Sequence, residues 1–196
     1  MRIISGTAGG IPLEVPKTVT RPTQDRVRQA LFSMIGEVVQ GAHVLDLFSG
    51  TGAFGLECLS RGAESVMMVE GNRQACEVIK RNAAKTRLTP GATVRQGDVF
   101  RVVSQLRDEG RAFDLIFADP PYAHKADDED LTAKLLAQEE LPALLKPGGH
   151  LILESLFSKR QPTSWPGWQV LTDRTYGSTR IVWLSNPKHA DGIESA

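Results

Sequence analysis

From His43 onward the chain alternates short apolar runs with amphipathic stretches, and that rhythm leaves few folds open. Val44-Leu45-Asp46-Leu47-Phe48 reads as a strand, residues 53–61 as a helix, Ser65-Val66-Met67-Met68-Val69 as a second strand and residues from about 72 to 85 as a second helix. Ala92-Thr93-Val94-Arg95 gives a third strand, followed by a helix near 99–108, a fourth strand ending at Ala118 and a helix over about 129–145. Lys146-Pro147-Gly148-Gly149 reads as a turn before a fifth strand, His150-Leu151-Ile152-Leu153-Glu154. Strands separated by helices build a parallel, doubly wound sheet, because a parallel return needs a crossover. Trp168-Gln169-Val170-Leu171 and Arg180-Ile181-Val182-Trp183-Leu184 have only Tyr176-Gly177-Ser178 to turn between them, so they close one edge as an antiparallel hairpin. The expected fold class is α/β, a Rossmann-like, mostly parallel sheet with an antiparallel edge hairpin.

Ligands of such sheets bind beyond the carboxyl ends of the strands, at the point where the strand order reverses. The loop after the first strand, Phe48-Ser49-Gly50-Thr51-Gly52-Ala53-Phe54-Gly55, has the G-x-G-x-x-G spacing of a tight turn that lets a ligand approach the backbone. Nicotinamide oxidoreductases and methyltransferases share that spacing. Asp46 separates them: a buried carboxylate repels a pyrophosphate and attracts an ammonium or sulfonium, unless it serves only to hold loop amides. Glu70 ends the second strand at the distance expected of an acid that binds ribose hydroxyls, and Gly97-Asp98 puts an acid where an adenine amino group can donate. Either acid can instead be a helix N-cap. Asp46, Phe48, Ser49, Gly50, Thr51, Gly52, Glu70, Gly97 and Asp98 together describe a cavity for adenosine bearing an amino acid, which is S-adenosylmethionine.

The fourth strand runs into Asp119-Pro120-Pro121-Tyr122. Each proline fixes φ and removes an N–H, so the Asp119 and Pro120 carbonyls are held with few local donors. A carboxylate, a fixed carbonyl and an aromatic ring within four residues make a receptor for a planar NH2 group. The plain alternative is a proline turn that closes the strand. Upstream, residues 2–15 read as a glycine-rich hairpin with Pro12 on an edge strand. Thr23 then caps a helix whose apolar face is Val27, Ala30, Leu31, Met34 and Ile35 and whose opposite face carries Asp25, Arg26 and Arg28. Arg21, Arg26 and Arg28 are either a solvated face or a phosphate-contacting edge. With 23 basic and 23 acidic residues the chain has no net charge, so a nucleic acid must be met by a local patch of this kind.

At 196 residues the chain is one domain by length, divided here into an N-terminal hairpin and helix extension (1–38), a cofactor domain (39–185) and a flexible tail (186–196). Cys58 and Cys76, both on helical patterns, read as reduced packing residues. The acidic run Asp127, Asp128, Glu129 and Asp130 suits a helix N-terminus and not a metal. No stretch has the length of a membrane span or the pattern of a signal peptide, which predicts a cytoplasmic protein.

Over roughly residues 1–185 the chain resembles the RsmD-type methyltransferases. The matching stretches are Arg2-Ile3-Ile4-Ser5-Gly6, Arg21-Pro22-Thr23 with Asp25-Arg26-Val27-Arg28, Asp46-Leu47-Phe48-Ser49-Gly50-Thr51-Gly52, Glu70, Asp119-Pro120-Pro121-Tyr122 and Tyr176-Gly177. The resemblance implies a class I methyltransferase fold and S-adenosylmethionine as cofactor. It also implies a guanine N2 in small-subunit (16S) ribosomal RNA as substrate, free or in an assembling 30S particle. Asp119, Pro120, Pro121 and Tyr122 are then the catalytic corner, and Arg21, Arg26 and Arg28 the RNA contacts. The competing readings are an amino methyltransferase of another RNA, DNA or a protein amide, a nicotinamide oxidoreductase, and a ribosome-assembly binding protein without catalysis.

Overall fold

The computed structural model describes residues 1–15, 25–121, 129–157 and 165–186; Arg21, Thr23, Tyr122, Asp127, Asp128 and the tail beyond Asn186 lie outside the described residues. Seven strands form one sheet: β1 (His43–Leu47), β2 (Ser65–Glu70), β3 (Ala92–Gln96), β4 (Phe113–Ala118), β5 (Leu145–Leu156), β6 (Gln169–Tyr176) and β7 (Thr179–Ser185). Their order is β3-β2-β1-β4-β5-β7-β6. The first five are parallel, β7 runs antiparallel to β5, and β6 pairs antiparallel to β7. The order reverses between β1 and β4, which makes their carboxyl ends the switch point. Gly177, at φ +62°, opens the two-residue turn between β6 and β7, the position where a hairpin of this type favours glycine.

Strand side chains alternate between two cores. Val44, Met68, Phe117 and Ile152 face a layer built from the N-terminal arm and the helices α1 (Asp25–Ile35), α2 (Ala53–Ser60) and α3 (Arg73–Thr86). Leu45, Leu47, Ala118 and Leu153 face α4 (Val99–Asp108), α5 (Leu131–Leu136) and α6 (Glu140–Ala143). Cys58 and Cys76 are free and buried, as expected of packing residues. No helix among the described residues is long and apolar enough to cross a membrane, and among them no group of three or more His, Cys, Asp or Glu could hold a metal.

The N-terminal hairpin is present: Arg2 and Pro12 form an antiparallel bridge, flanked by bonds between Ile3 and Ile11, Gly10 and Ile3, and Leu13 and Met1. Several other expectations are corrected. On α1 the buried stripe is Val27, Arg28, Leu31, Phe32 and Ile35, so Arg28 faces inward and not onto the charged face assigned to it. Phe32 rotates the stripe: its ring stacks on Phe54 at 5.2 Å, and positions 28, 31, 32 and 35 then share one side. The single helix expected over 129–145 is two short ones, because Pro142 can donate no N–H and its ring would collide with the carbonyl of residue 138 in a continuous helix. Asp130 caps the first of these through Ala133 N–H at 3.0 Å, and Glu129 pairs with Lys134 at 2.8 Å. The turn at 146–149 lies inside β5 as a bulge, since Leu145 pairs with Phe113 while His150 pairs with Leu115. Asn186, placed in the tail, is buried and donates to the Pro142 carbonyl at 3.4 Å.

Candidate active site

The glycine bend begins where β1 leaves the sheet. Phe48 takes φ +61°, a left-handed conformation uncommon outside glycine, and Gly50 and Gly52 follow at +53° and +74°. Three left-handed residues in five reverse the chain sharply enough for α2 to start at Ala53. Ser49 locks the reversal: its N–H donates to Val69 O at 3.0 Å, and its hydroxyl lies 2.7 Å from Asp46 O and 3.2 Å from Val69 O. The bend is closed by Gly52 N–H to Ser49 O at 2.7 Å. Gly52 and Gly55 are demanded by packing: a Cβ on the first would come within 2.9 Å of Ile79, and on the second within 2.8 Å of Met68.

The three acids stand at the ends of adjacent strands. Asp46 is 1 % exposed and its Oδ2 accepts from Gly55 N–H at 3.1 Å. Burial pushes its carboxyl up to about 8, against hydrogen bonds from Gly55 and Ser49, and the nearby Glu70 adds to the rise. Glu70 spans two loops, accepting Gly50 N–H at 2.9 Å on one oxygen and Asn72 N–H at 2.7 Å on the other. The Glu70 carbonyl accepts Gly97 N–H at 3.1 Å, which carries the ladder into the next loop. Asp98 is exposed and caps α4 through Arg101 N–H at 3.0 Å. Asp98 thus has the capping role weighed for it and Asp46 holds a backbone amide, whereas Glu70 caps no helix: Asn72 caps α3 through Ala75 N–H at 3.0 Å. A carboxylate oxygen accepts more than one hydrogen bond, so those roles leave capacity for ligand hydroxyls or an amino group.

Thr51 is buried, its hydroxyl accepting Ala53 N–H at 3.2 Å and touching Met1 Sδ at 3.3 Å. Phe48 rests edge-on against Phe100, the ring centroids 6.1 Å apart.

The proline corner adjoins this bend. Ala118 is the register partner of Leu47, and Asp119 N–H points to Leu47 O at 3.4 Å. Phe48 is thus one residue from the carbonyl that receives Asp119. Asp119 is half-buried, Pro120 buried and Pro121 exposed. The rings of Phe54 and Phe117 stack 3.8 Å apart in the core between α2 and the strand that leads into the corner.

Of the three arginines expected at an RNA edge, Arg21 lies outside the described residues and Arg26 is exposed on α1. Arg28 is 2 % exposed, donates to the Arg2 carbonyl and pairs with Asp25 at 3.1 Å. Burial lowers its pKa, against the pull of Glu57, Asp25 and Glu154. It is a strut between the arm and α1 and offers no surface to a phosphate.

Sequence reasoning passed over Glu57, Ser60 and Asn82. Glu57 is fully buried, accepts Ile4 N–H at 2.6 Å and Ser5 N–H at 3.0 Å, and pairs with Arg61 at 2.7 Å. Ser60 Oγ donates to Ser5 O at 2.5 Å and accepts Ala8 N–H at 2.9 Å. Asn82, fully buried on α3, bonds Glu14 twice and the Thr51 carbonyl once. A signal was available: Asn82 is a polar residue on an otherwise apolar side of α3, and Glu57 and Ser60 interrupt the mostly apolar α2 one turn apart.

The family model described as "Conserved hypothetical protein 95" matches residues 1–185. The chain is 34% identical to "Putative rRNA methyltransferase YlbH" of Bacillus subtilis (strain 168), over 93% of this chain and 97% of that protein. It is 31% identical to "Ribosomal RNA small subunit methyltransferase D" of Escherichia coli (strain K12), over 100% of this chain and 94% of that one. A solved structure of a hypothetical protein from Thermus thermophilus superposes with a TM-score of 0.78 at 31% identity, covering 94% of this chain and 99% of that one.

Proposed function

The chain belongs to the Conserved hypothetical protein 95 family, that of the RsmD-type S-adenosylmethionine-dependent methyltransferases, and from that premise we propose that it methylates the exocyclic N2 amino group of a guanine in small-subunit ribosomal RNA. The observation that carries this reading is the contact between Asp119 N–H and Leu47 O, which brings an amino-group receptor next to the glycine bend. The residues present fit the cofactor. Glu70 and Asp98 retain acceptor capacity for ribose hydroxyls and an adenine amino group, and the buried Asp46 is a carboxyl that a nearby cation would ionise. S-adenosylmethionine supplies an electrophilic methyl group.

The chain's own task is the nucleophile. A guanine amino lone pair is delocalised into the ring. Asp119 Oδ and the Pro120 carbonyl accept hydrogen bonds from its two N–H groups, which favours pyramidal nitrogen and raises its electron density; the methylated nitrogen then releases one proton to water or to the Asp119 carboxylate. Tyr122 stacks on the base and fixes the line of attack. Orientation of this kind is worth on the order of 7–11 kcal/mol. The base leaves its stack at a cost of a few kcal/mol. Arg21 and the exposed Arg26 offset that through phosphate contacts, and Arg28 is no longer among them.

Transfer of labelled methyl to 16S ribosomal RNA, with calorimetry of S-adenosylhomocysteine, tests this. Asp119→Ala is expected to lower turnover by about 10²–10⁴-fold and to leave cofactor-product affinity nearly intact. Equal loss of both would mean that Asp119 belongs to the cofactor pocket. Transfer to DNA or a protein amide in preference to ribosomal RNA would replace the substrate.

A further inference from the structure

Asn82 joins two parts of the molecule that the chemistry uses separately. Its Oδ1 accepts Glu14 N–H at 2.8 Å, and its Nδ2 donates to Glu14 O at 3.0 Å and to Thr51 O at 3.1 Å. The orientation of the amide is forced, because a backbone N–H can only donate and two carbonyls can only accept. Both amino hydrogens and the carbonyl of this side chain are therefore engaged. The Thr51 carbonyl lies between Gly50 and Gly52, the two left-handed glycines of the bend. The arm is tied to α1, which carries the exposed Arg26, by Arg28 donating to the Arg2 carbonyl. A second contact reaches the same bend from the other end of the arm, Thr51 Oγ1 to Met1 Sδ at 3.3 Å, and Leu13 N–H to Met1 O at 3.1 Å ties the two ends together.

A planar amide with three bonds transmits displacement. If the Thr51 carbonyl moves, Nδ2 must follow or lose its bond, and the Glu14 peptide is held by the same plane. Aspartate would face two carbonyls with a negative oxygen, and leucine would leave the buried Thr51 carbonyl and two Glu14 backbone groups without this partner. We propose that Asn82 is a positioning residue that couples the glycine bend to the N-terminal arm, so that a ligand held on the bend tightens the arm and with it the grip on RNA. The proposal rests on the functional reading above for the identity of the two ligands. Coupling of this kind is reciprocal: RNA bound through Arg26 on α1, to which the arm is tied, must also tighten the cofactor.

Two measurements test it. In the wild-type protein, hydrogen exchange of the Glu14 amide is followed with and without S-adenosylhomocysteine. Exchange of this amide requires its bond to Asn82 to open, so the ligand is expected to slow it. Exchange at Glu14 unchanged by a saturating ligand would overturn the proposal. The affinity for a guanine-containing stem–loop of 16S ribosomal RNA is then measured with and without S-adenosylhomocysteine, in wild type and in Asn82→Ala. The expected wild-type ratio is about fivefold or more, falling towards one in the variant. A fold that is merely loosened would weaken both affinities and leave their ratio unchanged, so a ratio preserved in Asn82→Ala also overturns the coupling. If the variant does not fold, the wild-type exchange measurement decides alone. Failure of wild type to bind S-adenosylhomocysteine at all would refute the functional reading first.

Discussion

Asp46→Asn should make the ligand-free protein more stable, and increasingly so as the pH rises. The carboxyl is 1 % exposed with Gly55 N–H on one oxygen, and burial raises it from an ordinary value of 3.8 to about 8. The sign follows from where the proton resides. Below pH 3.8 both folded and unfolded chains keep it, and the group contributes nothing to the difference. Between 3.8 and 8 the unfolded chain releases it while the folded chain retains it, so stability falls by about 1.4 kcal/mol per pH unit, or about 4 kcal/mol by pH 7. Asparagine keeps an oxygen for Gly55 and has no proton to lose. Urea unfolding of both proteins at pH 5 and pH 7 should show the difference shifting by about 3 kcal/mol in favour of the variant over those two units. The change across pH is the critical quantity, since any repacking cost of the amide is the same at both. A difference independent of pH would mean that the carboxyl is already ionised in the empty fold. The same substitution should weaken binding of a cationic cofactor, because the charge that would compensate it is gone.

Two further outcomes are expected. Gly6→Ala should cost about 3 kcal/mol or more in urea unfolding, because its Cβ would lie 1.8 Å from Ser60 O at a φ of +82°; a loss under about 1 kcal/mol would show that the arm leaves α2 without penalty. Arg26→Ala should weaken RNA binding and lower the slope of log affinity against log salt by about one, whereas an unchanged slope reduces Arg26 to a solvated side chain.

The parallel sheet and its loops were legible because their signals are local and repeated. Apolar runs of five or six residues stand between helical patterns, and the glycine spacing and the proline corner mark what happens at the strand ends. The antiparallel edge was legible for the same reason, since too few residues separate β6 from β7 for a crossover. What escaped were single residues whose environment is set by distant parts of the chain. Arg28 reads as exposed until Phe32 stacks on Phe54, and nothing near position 28 reports a ring on α2. Asn82 on α3 and the pair Glu57 and Ser60 on α2 stand out as polar exceptions in the sequence, but nothing local names the groups they hold. Their partners Glu14, Ile4 and Ser5 lie more than fifty residues away. Pro142, which divides the expected helix, was visible and underweighted.

The structural and ligand-binding readings of the acids are compatible, because the bonds that hold the loops leave lone pairs free. Asp46, Glu70 and Asp98 each accept at least one backbone N–H, from Gly55 in α2, from Gly50 in the bend and from Arg101 in α4. Those bonds fix the directions in which the remaining lone pairs point. Glu70 shows this most clearly, because Gly50 and Asn72 restrain its two oxygens from different loops. A ligand that meets acids already oriented loses less conformational freedom on binding than one that must order them, at about 0.5–1.5 kcal/mol per side chain immobilised. The cost of this arrangement is placed in folding instead, in the left-handed backbone of Phe48 and the buried carboxyl of Asp46. The arm reinforces the same arrangement through Asn82, which restrains the Thr51 carbonyl from the far side of the bend. Neutralising Asp46 should therefore stabilise the empty fold, whereas freeing Glu70 from Gly50 or Asn72 should weaken binding because that acid loses its orientation.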